Sequence, residues 1–234
     1  MEQYNMKANF YPAAEPKNGY IGFADLTIAE AIRIRGIAVF EKDGGGYNIH
    51  FPGYGEKDTS FVSPSSKEAY AQMLSVVESA VKDPEHHFGW QTGKYNPELS
   101  VKGWAVNEPY ADSRYHLQVG DLCQLHQLSA RVVDYKDDGK DKSFVSVDLP
   151  TLPPYPDKDG NQVYPPVFEG LKSPYEKDGV KKEKDFGLLI RNLVLAERKK
   201  VLEHPPLEEQ IDNAAQRSTN NAPAHGAPEK SAVR

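Results

Sequence analysis

Two stretches of this chain pass through the same features in the same order: Tyr20 is matched by Tyr115, Asp25-Leu26 by Asp121-Leu122, and Asp43-Gly44 by Asp138-Gly139, at an offset of 95 or 96. A near-constant offset marks an internal repeat, and it limits the fold because one supersecondary unit must then serve twice. In the first copy, Met6–Tyr11 alternates as a short strand that ends at Pro12, and Asn18-Gly19 breaks the chain. Tyr20–Leu26 follows, with Ile21, Phe23 and Ala24 expected to point inward. Alternation resumes through Ile32, Ile34, Ile37, Val39 and Phe40. Lys42–Gly46 supplies glycines able to take positive φ before Tyr47, Ile49 and Phe51, the signature of a β-hairpin. Ser65 and Glu68 then stand at capping-box spacing, and Tyr70, Met73, Leu74, Val77, Ala80 and Val81 form one apolar stripe of a helix closed by Asp83-Pro84.

Residues 85–97, polar and closed by Asn96-Pro97, read as a linker. The second copy offers strands over Leu99–Val106, Tyr115–Leu122 and Leu128–Tyr135, a turn at Lys136–Gly139, and a strand through Phe144, Val145 and Val147. Its helix, Asp185–Leu202, sets Phe186, Leu189, Ile190 and Leu193 on one face. Between them, residues 151–184 hold prolines at 153, 154, 156, 165, 166 and 174 with Tyr155, Tyr164 and Tyr175, a composition expected to stay outside regular sheet and helix. Residues 204–217 suggest a short helix through Leu207, Ile211 and Ala214, and residues 218–234 have almost nothing to bury and read as a disordered tail. The expectation is an α+β fold of two sheet-plus-helix units in tandem, 1–84 and 98–203. Each unit exposes a sheet edge that must be covered, so the two are expected to pair in cis as an intramolecular pseudo-dimer.

With 234 residues, a net charge of −6 and no apolar run near the ~20 residues a membrane helix needs, the chain reads as soluble and membrane-free. No basic start leads into an apolar segment, so a cytoplasmic, prokaryotic setting is expected. A lone cysteine, Cys123, excludes an internal disulfide and a cysteine-rich zinc site, and reads as a core residue beside an exposed His126. Glu85-His86-His87 lacks a third ligand, Gly44-Gly45-Gly46 lacks the Lys-Ser/Thr of a phosphate loop, and no Gly-x-Ser-x-Gly elbow occurs. These readings imply no enzyme, no cofactor and no metal. One basic constellation stands out: Lys181, Lys182 and Lys184 before the second helix, and Arg191, Arg198, Lys199 and Lys200 along it. Arg191 and Arg198, seven apart, would share a face that phosphates can follow, while cations at a helix C-terminus also suit its dipole.

Asp25–Glu41, the Gly-rich turn after it, Tyr47–Pro52, Phe61-Val62-Ser63-Pro64 and the first helix follow the order of the SpoVG family, which residues 6–84 resemble, with weaker likeness over 98–203. The resemblance implies a small α+β fold, association through sheet edges and a regulatory role through DNA or RNA. Family members carry Lys or Arg just after the last hairpin strand, where this chain has Pro52-Gly53-Tyr54-Gly55-Glu56, which moves the nucleic-acid expectation to the second unit. Two functional readings follow. One is a non-enzymatic SpoVG-like regulator that binds DNA or RNA through the second unit and its basic helix. The other is a mobile-element or phage module that binds a protein partner, host or self, through a sheet edge or an acidic face and inhibits a host defence complex.

Overall fold

The computed structural model describes residues 2–54, 59–177 and 180–203. The expected short helix at 204–217 and the tail at 218–234 lie outside the described residues. In chain order the elements are β1 (Met6–Lys17), β2 (Tyr20–Ile28), β3 (Ile32–Glu41), β4 (Tyr47–His50), β5 (Gly53–Tyr54), β6 (Thr59–Ser60), β7 (Val62–Pro64), α1 (Lys67–Val81) and β8 (Phe88–Gln91). There follow β9 (Leu99–Glu108), β10 (Ala111–Val119), β11 (Cys123–Asp137), β12 (Lys140–Asp148), β13 (Tyr155–Pro156), β14 (Gln162–Val163), β15 (Phe168–Gly170), β16 (Lys172–Lys177), β17 (Val180–Asp185) and α2 (Phe186–Glu203).

This is a mixed α+β fold of mostly antiparallel strands with two helices. One sheet runs β15-β3-β2-β1-β8 with β4 also on β3, and the other runs β12-β11-β10-β9 with β7 on β11. Each sheet therefore contains a strand from the other half of the chain. β7, which precedes α1, pairs with β11 through Val62↔Leu125 and Pro64↔Cys123. β15, from the second half, pairs with β3 through Phe168↔Ile34 and Gly170↔Ile32.

The two exchanges share their hydrogen bonds. Arg35 N–H donates to Val167 O at 2.7 Å and His126 N–H to Phe61 O at 2.8 Å; Leu171 N–H donates to Ala31 O at 2.7 Å and Ser65 N–H to Leu122 O at 2.9 Å. Buried residues of both sheets and both helices form one apolar cluster, with Met6, Leu26, Ile34, Met73, Tyr115, Leu117, Phe168 and Phe186 among the largest. Each half thus lends a short strand to the other's sheet.

Structural equivalence shifts the offset. The hairpin pair Ile28↔Ile32 corresponds to Val119↔Cys123, so positions in β2 and β3 recur 91 residues on in β10 and β11, not 95 or 96. Asp138-Gly139 falls 95 residues after Asp43-Gly44 because β11, at 15 residues, outruns the 10 residues of β3 and carries its turn farther out.

Several local expectations are corrected. β1 passes through Pro12 to Lys17, because Pro12 faces Gly22 just before a register shift where the ladder is already interrupted. Phe23 is exposed, and Ala24, Leu26 and Ile28 take the inward positions. Ser66 rather than Ser65 caps α1, its hydroxyl accepting from Ala69 N–H at 3.0 Å, while Ser65 is held by Leu122 and by Gln118. The stretch 85–97 is not only a linker, since β8 adds to the outer edge of β1. Residues 151–184 are not free of sheet: they hold β13–β14, the exchanged β15 and the hairpin β16–β17. Among the described residues no helix is long and apolar enough to cross a membrane.

Candidate functional site

The basic constellation does not form one surface. Arg198 turns inward to β10 and binds both carboxylate oxygens of Asp112, at 3.0 and 2.5 Å, leaving its side chain only 16 % exposed. Lys200 faces Glu197 at 2.9 Å and Lys199 faces Glu203 at 3.9 Å. Arg191 reaches the Val145 carbonyl at 3.5 Å, two turns before the bound Arg198. Lys184 sits over the Phe186 ring at 4.6 Å and approaches Asn96. Lys182 is exposed on β17, and the side chain of Lys181 lies outside the described residues. Three of the four helix cations thus already face a carboxylate, and the expected Arg191/Arg198 stripe is interrupted because Arg198 belongs to the packing of α2 on its sheet.

The strand exchange builds a second arrangement, which the sequence did not announce. At each seam, one residue of the central hairpin reaches a residue of the borrowed strand. In the first sheet Arg35 meets Glu169 at 2.6 Å, with Arg33 also on Glu169 at 3.3 Å, while Asp25 accepts from Gly36 N–H at 3.3 Å. In the second sheet, by the 91-residue equivalence, His126 replaces Arg35 and His116 replaces Asp25, and Ser63 stands where Glu169 stands. His126 Nε2 lies 2.9 Å from Ser63 Oγ, and His126 Nδ1 lies 2.9 Å from His116 Nδ1. Gly36 and Gln127 follow Arg35 and His126 with φ of 70° and 66°, so the same left-handed step orients both sites.

Environment sets the protonation of these groups. Burial, and for His126 also its neighbour His116, pushes both imidazoles below the ordinary histidine range; Lys102 adds to the effect at His116. Trp104 covers His116 with ring centroids 4.7 Å apart. Arg114, alongside, is engaged by Glu108 and Gln127. His126 is therefore half-buried and bonded, not the exposed histidine expected beside Cys123. Cys123 itself is a fully buried core residue, as expected, and burial pushes its thiol up to about 12. His86 and His87 stay apart from this cluster, His86 near Asp83 and His87 against Phe10. Among the described residues no group of three or more His, Cys, Asp or Glu side chains is gathered at metal-binding spacing.

Nothing in the linear sequence joins His116, His126 and Ser63, because Ser63 arrives from the other half through β7. The one signal was parity: 116 and 126 flank a hairpin whose inward positions are apolar, so both histidines fall on its outer face. Compared with known proteins, the chain matches no family model, no curated protein and no solved structure.

Proposed function

We propose that this chain is a non-enzymatic SpoVG-like module, two diverged copies of one unit fused into an intramolecular pseudo-dimer, that acts by binding a protein partner rather than a nucleic-acid backbone. The observation that carries this reading is the neutralisation of the α2 cations, above all the closure of Arg198 on Asp112. Binding to a phosphate backbone draws its affinity from free cations that release counterions. Here the net charge is −6 and three of the helix's cations already face acids. The matched seams and the shared order of strands before each helix support the SpoVG-like part of the reading.

The partner surface follows from the β11–β12 ribbon, which extends past the body of its sheet and exposes Val132, Tyr135 and Phe144. Tyr135 and Phe144 meet edge to face at 5.7 Å, with Asp137, Lys140 and Lys142 on the same face of the ribbon. Exposed aromatics on a ribbon ringed by charge are the usual anchors of protein interfaces. A mobile-element or phage module that holds a host complex would use such a surface.

Titration with labelled single-stranded DNA, duplex DNA and RNA at low salt tests the choice, with no saturable binding expected. Salt-sensitive binding abolished by joint Lys182→Ala, Lys184→Ala and Arg191→Ala replacement would instead restore the nucleic-acid regulator. Capture from lysate should resist nuclease and be lost with Tyr135→Ser/Phe144→Ser.

A further inference from the structure

We infer that His116 and His126 form a two-imidazole site for a borderline divalent transition-metal ion, of the Cu²⁺, Ni²⁺ or Zn²⁺ class, oriented by Ser63 and roofed by Trp104. The inference is independent of what the ribbon binds.

The geometry begins with the two Nδ1 atoms, 2.9 Å apart. Two nitrogens on one tetrahedral ion at ~2.0–2.1 Å stand about 3.3 Å apart, so a small separation of the rings opens the required bite. The ring centroids are 4.6 Å apart and the planes cross at 85°. That is closer than rings meeting nitrogen to nitrogen along a straight line, so the rings are bent about the N···N contact, as two ligands of one ion also are. An imidazole that ligates through Nδ1 must carry its proton on Nε2, and it binds best when that N–H has an acceptor. Ser63 Oγ lies 2.9 Å from His126 Nε2 and supplies the acceptor. Ser63 is fixed by β7, whose pairing Ser63↔Gln124 sets it beside β11. The outer-sphere partner therefore comes from one half of the chain and both ligands from the other.

The electrostatics are compatible with ligation. The 2.9 Å contact is met by one Nδ1–H donating to the other Nδ1, and a shift of that proton to Nε2, where His126 has Ser63 as acceptor, leaves a lone pair on each Nδ1 for a metal. The facing charges are Lys102 on β9 and, on β10, Arg114, which Glu108 and Gln127 engage. Among the described residues no carboxylate joins the two imidazoles, so hard ions such as Mg²⁺ and Ca²⁺ find no ligand there, and imidazole selects the Cu²⁺, Ni²⁺ and Zn²⁺ group, with Cu²⁺ tightest. Two protein ligands leave positions open for water. The counterpart site, Asp25, Arg35 and Glu169, holds a guanidinium where His126 stands and cannot bind a cation in the same way.

Trp104, one of only two tryptophans, reports on the site directly. Titrating the full chain with CuCl₂, and separately with ZnCl₂, should quench or shift its fluorescence at one equivalent and raise the midpoint of thermal unfolding. His116→Gln and His126→Gln should each remove the saturable phase, and Ser63→Ala should weaken it about tenfold. Trp104→Phe should lose the optical signal but keep one equivalent of binding by calorimetry. His86→Gln/His87→Gln should change nothing. If either single histidine replacement failed to fold, His116→Asn with the calorimetric readout carries the same test. Absence of one-equivalent Cu²⁺ binding to the native chain, undiminished binding in His126→Gln, or loss of binding with His86→Gln/His87→Gln would overturn the assignment.

Discussion

Arg198 of α2 and Asp112 of β10 form a two-point ion pair, at 3.0 and 2.5 Å, that ends a buried relay: Tyr115 Oη donates to Ser113 Oγ at 2.7 Å, and Ser113 Oγ donates to Asp112 Oδ1 at 2.6 Å. The helix is thereby fastened to its sheet by a side chain that composition alone would assign to solvent. Arg198→Ala removes two charge-assisted bonds and leaves Asp112 with only Ser113 and the backbone. A hydrogen bond to a charged group contributes ~1.5–3 kcal/mol, and partial exposure lowers the return, so a loss of about 2 kcal/mol is expected in urea unfolding. Arg191→Ala, whose contact is a single long bond to an exposed strand, should cost less than half as much. Joint Ala replacement at 191, 198 and 200 therefore damages the fold through the loss at Arg198. Equal, negligible losses at 198 and 191 would show that the pair is solvated and slack.

The same pair gives an acid limb to the stability curve. Burial pushes the Asp112 carboxyl up, but hydrogen bonds from Arg198 and Ser113 and the Arg198 charge outweigh it, and the net displacement is downward. A group whose folded pKa is depressed contributes stability above its unfolded pKa, ~3.9 for Asp, and loses it as pH falls through the folded value. Wild type should thus lose stability as pH drops below about 4. Asp112→Asn should start less stable at pH 7 and show a flatter profile in that window. Parallel profiles for the two proteins would remove Asp112 from the account.

Cys123 is paired to Val119 on one side and to Pro64 of the borrowed strand on the other, fully buried, with its thiol pushed up to about 12. Attack on a disulfide reagent needs thiolate and access, and the native chain offers neither. Ellman's reagent should react only as fast as the seam opens, with full labelling in denaturant. Prompt one-equivalent labelling of the native protein would mean that β7 does not cover Cys123.

Local elements were legible because period and turn chemistry are local. The Lys42–Gly46 turn closes β3–β4, with Lys42 N–H donating to Gly46 O at 3.0 Å, and the Met73, Val77 and Ala80 stripe is buried as its spacing predicts. What escaped was set by partners distant in sequence. β15 has three residues amid prolines and exists because β3 offers Ile32–Ile34 an empty edge to fill. Arg198 reads as a solvated helix cation until Asp112 is placed beneath it. His116, His126 and Ser63 carry no shared motif, and only the exchange of β7 brings them together.

That exchange makes its own prediction, about the two halves taken apart. In the intact chain Ile32–Ile34 of the first sheet is covered by β15 from the second half, and Cys123–Leu125 by β7 from the first. Phe168, fully buried, and Phe61, nearly so, are carried across with these strands, so each half holds part of the other's core. A fragment 1–97 therefore has an open strand edge and a displaced β7 with no sheet of its own to join. Since β7 and β15 occupy corresponding places, two copies of that fragment can satisfy each other by the same exchange. Fragment 1–97 alone is thus expected as a homodimer or an unfolded chain, never as a stable folded monomer. Mixed with fragment 98–234 it should form a 1:1 complex with the circular dichroism of the intact protein, which itself should scatter light as a monomer. Within the intact chain, Phe168→Ala should cost ~3–5 kcal/mol, the usual loss for a buried phenylalanine. A folded, monomeric 1–97 with the thermal stability of the whole chain would show that the borrowed strands are ornament to two independent domains.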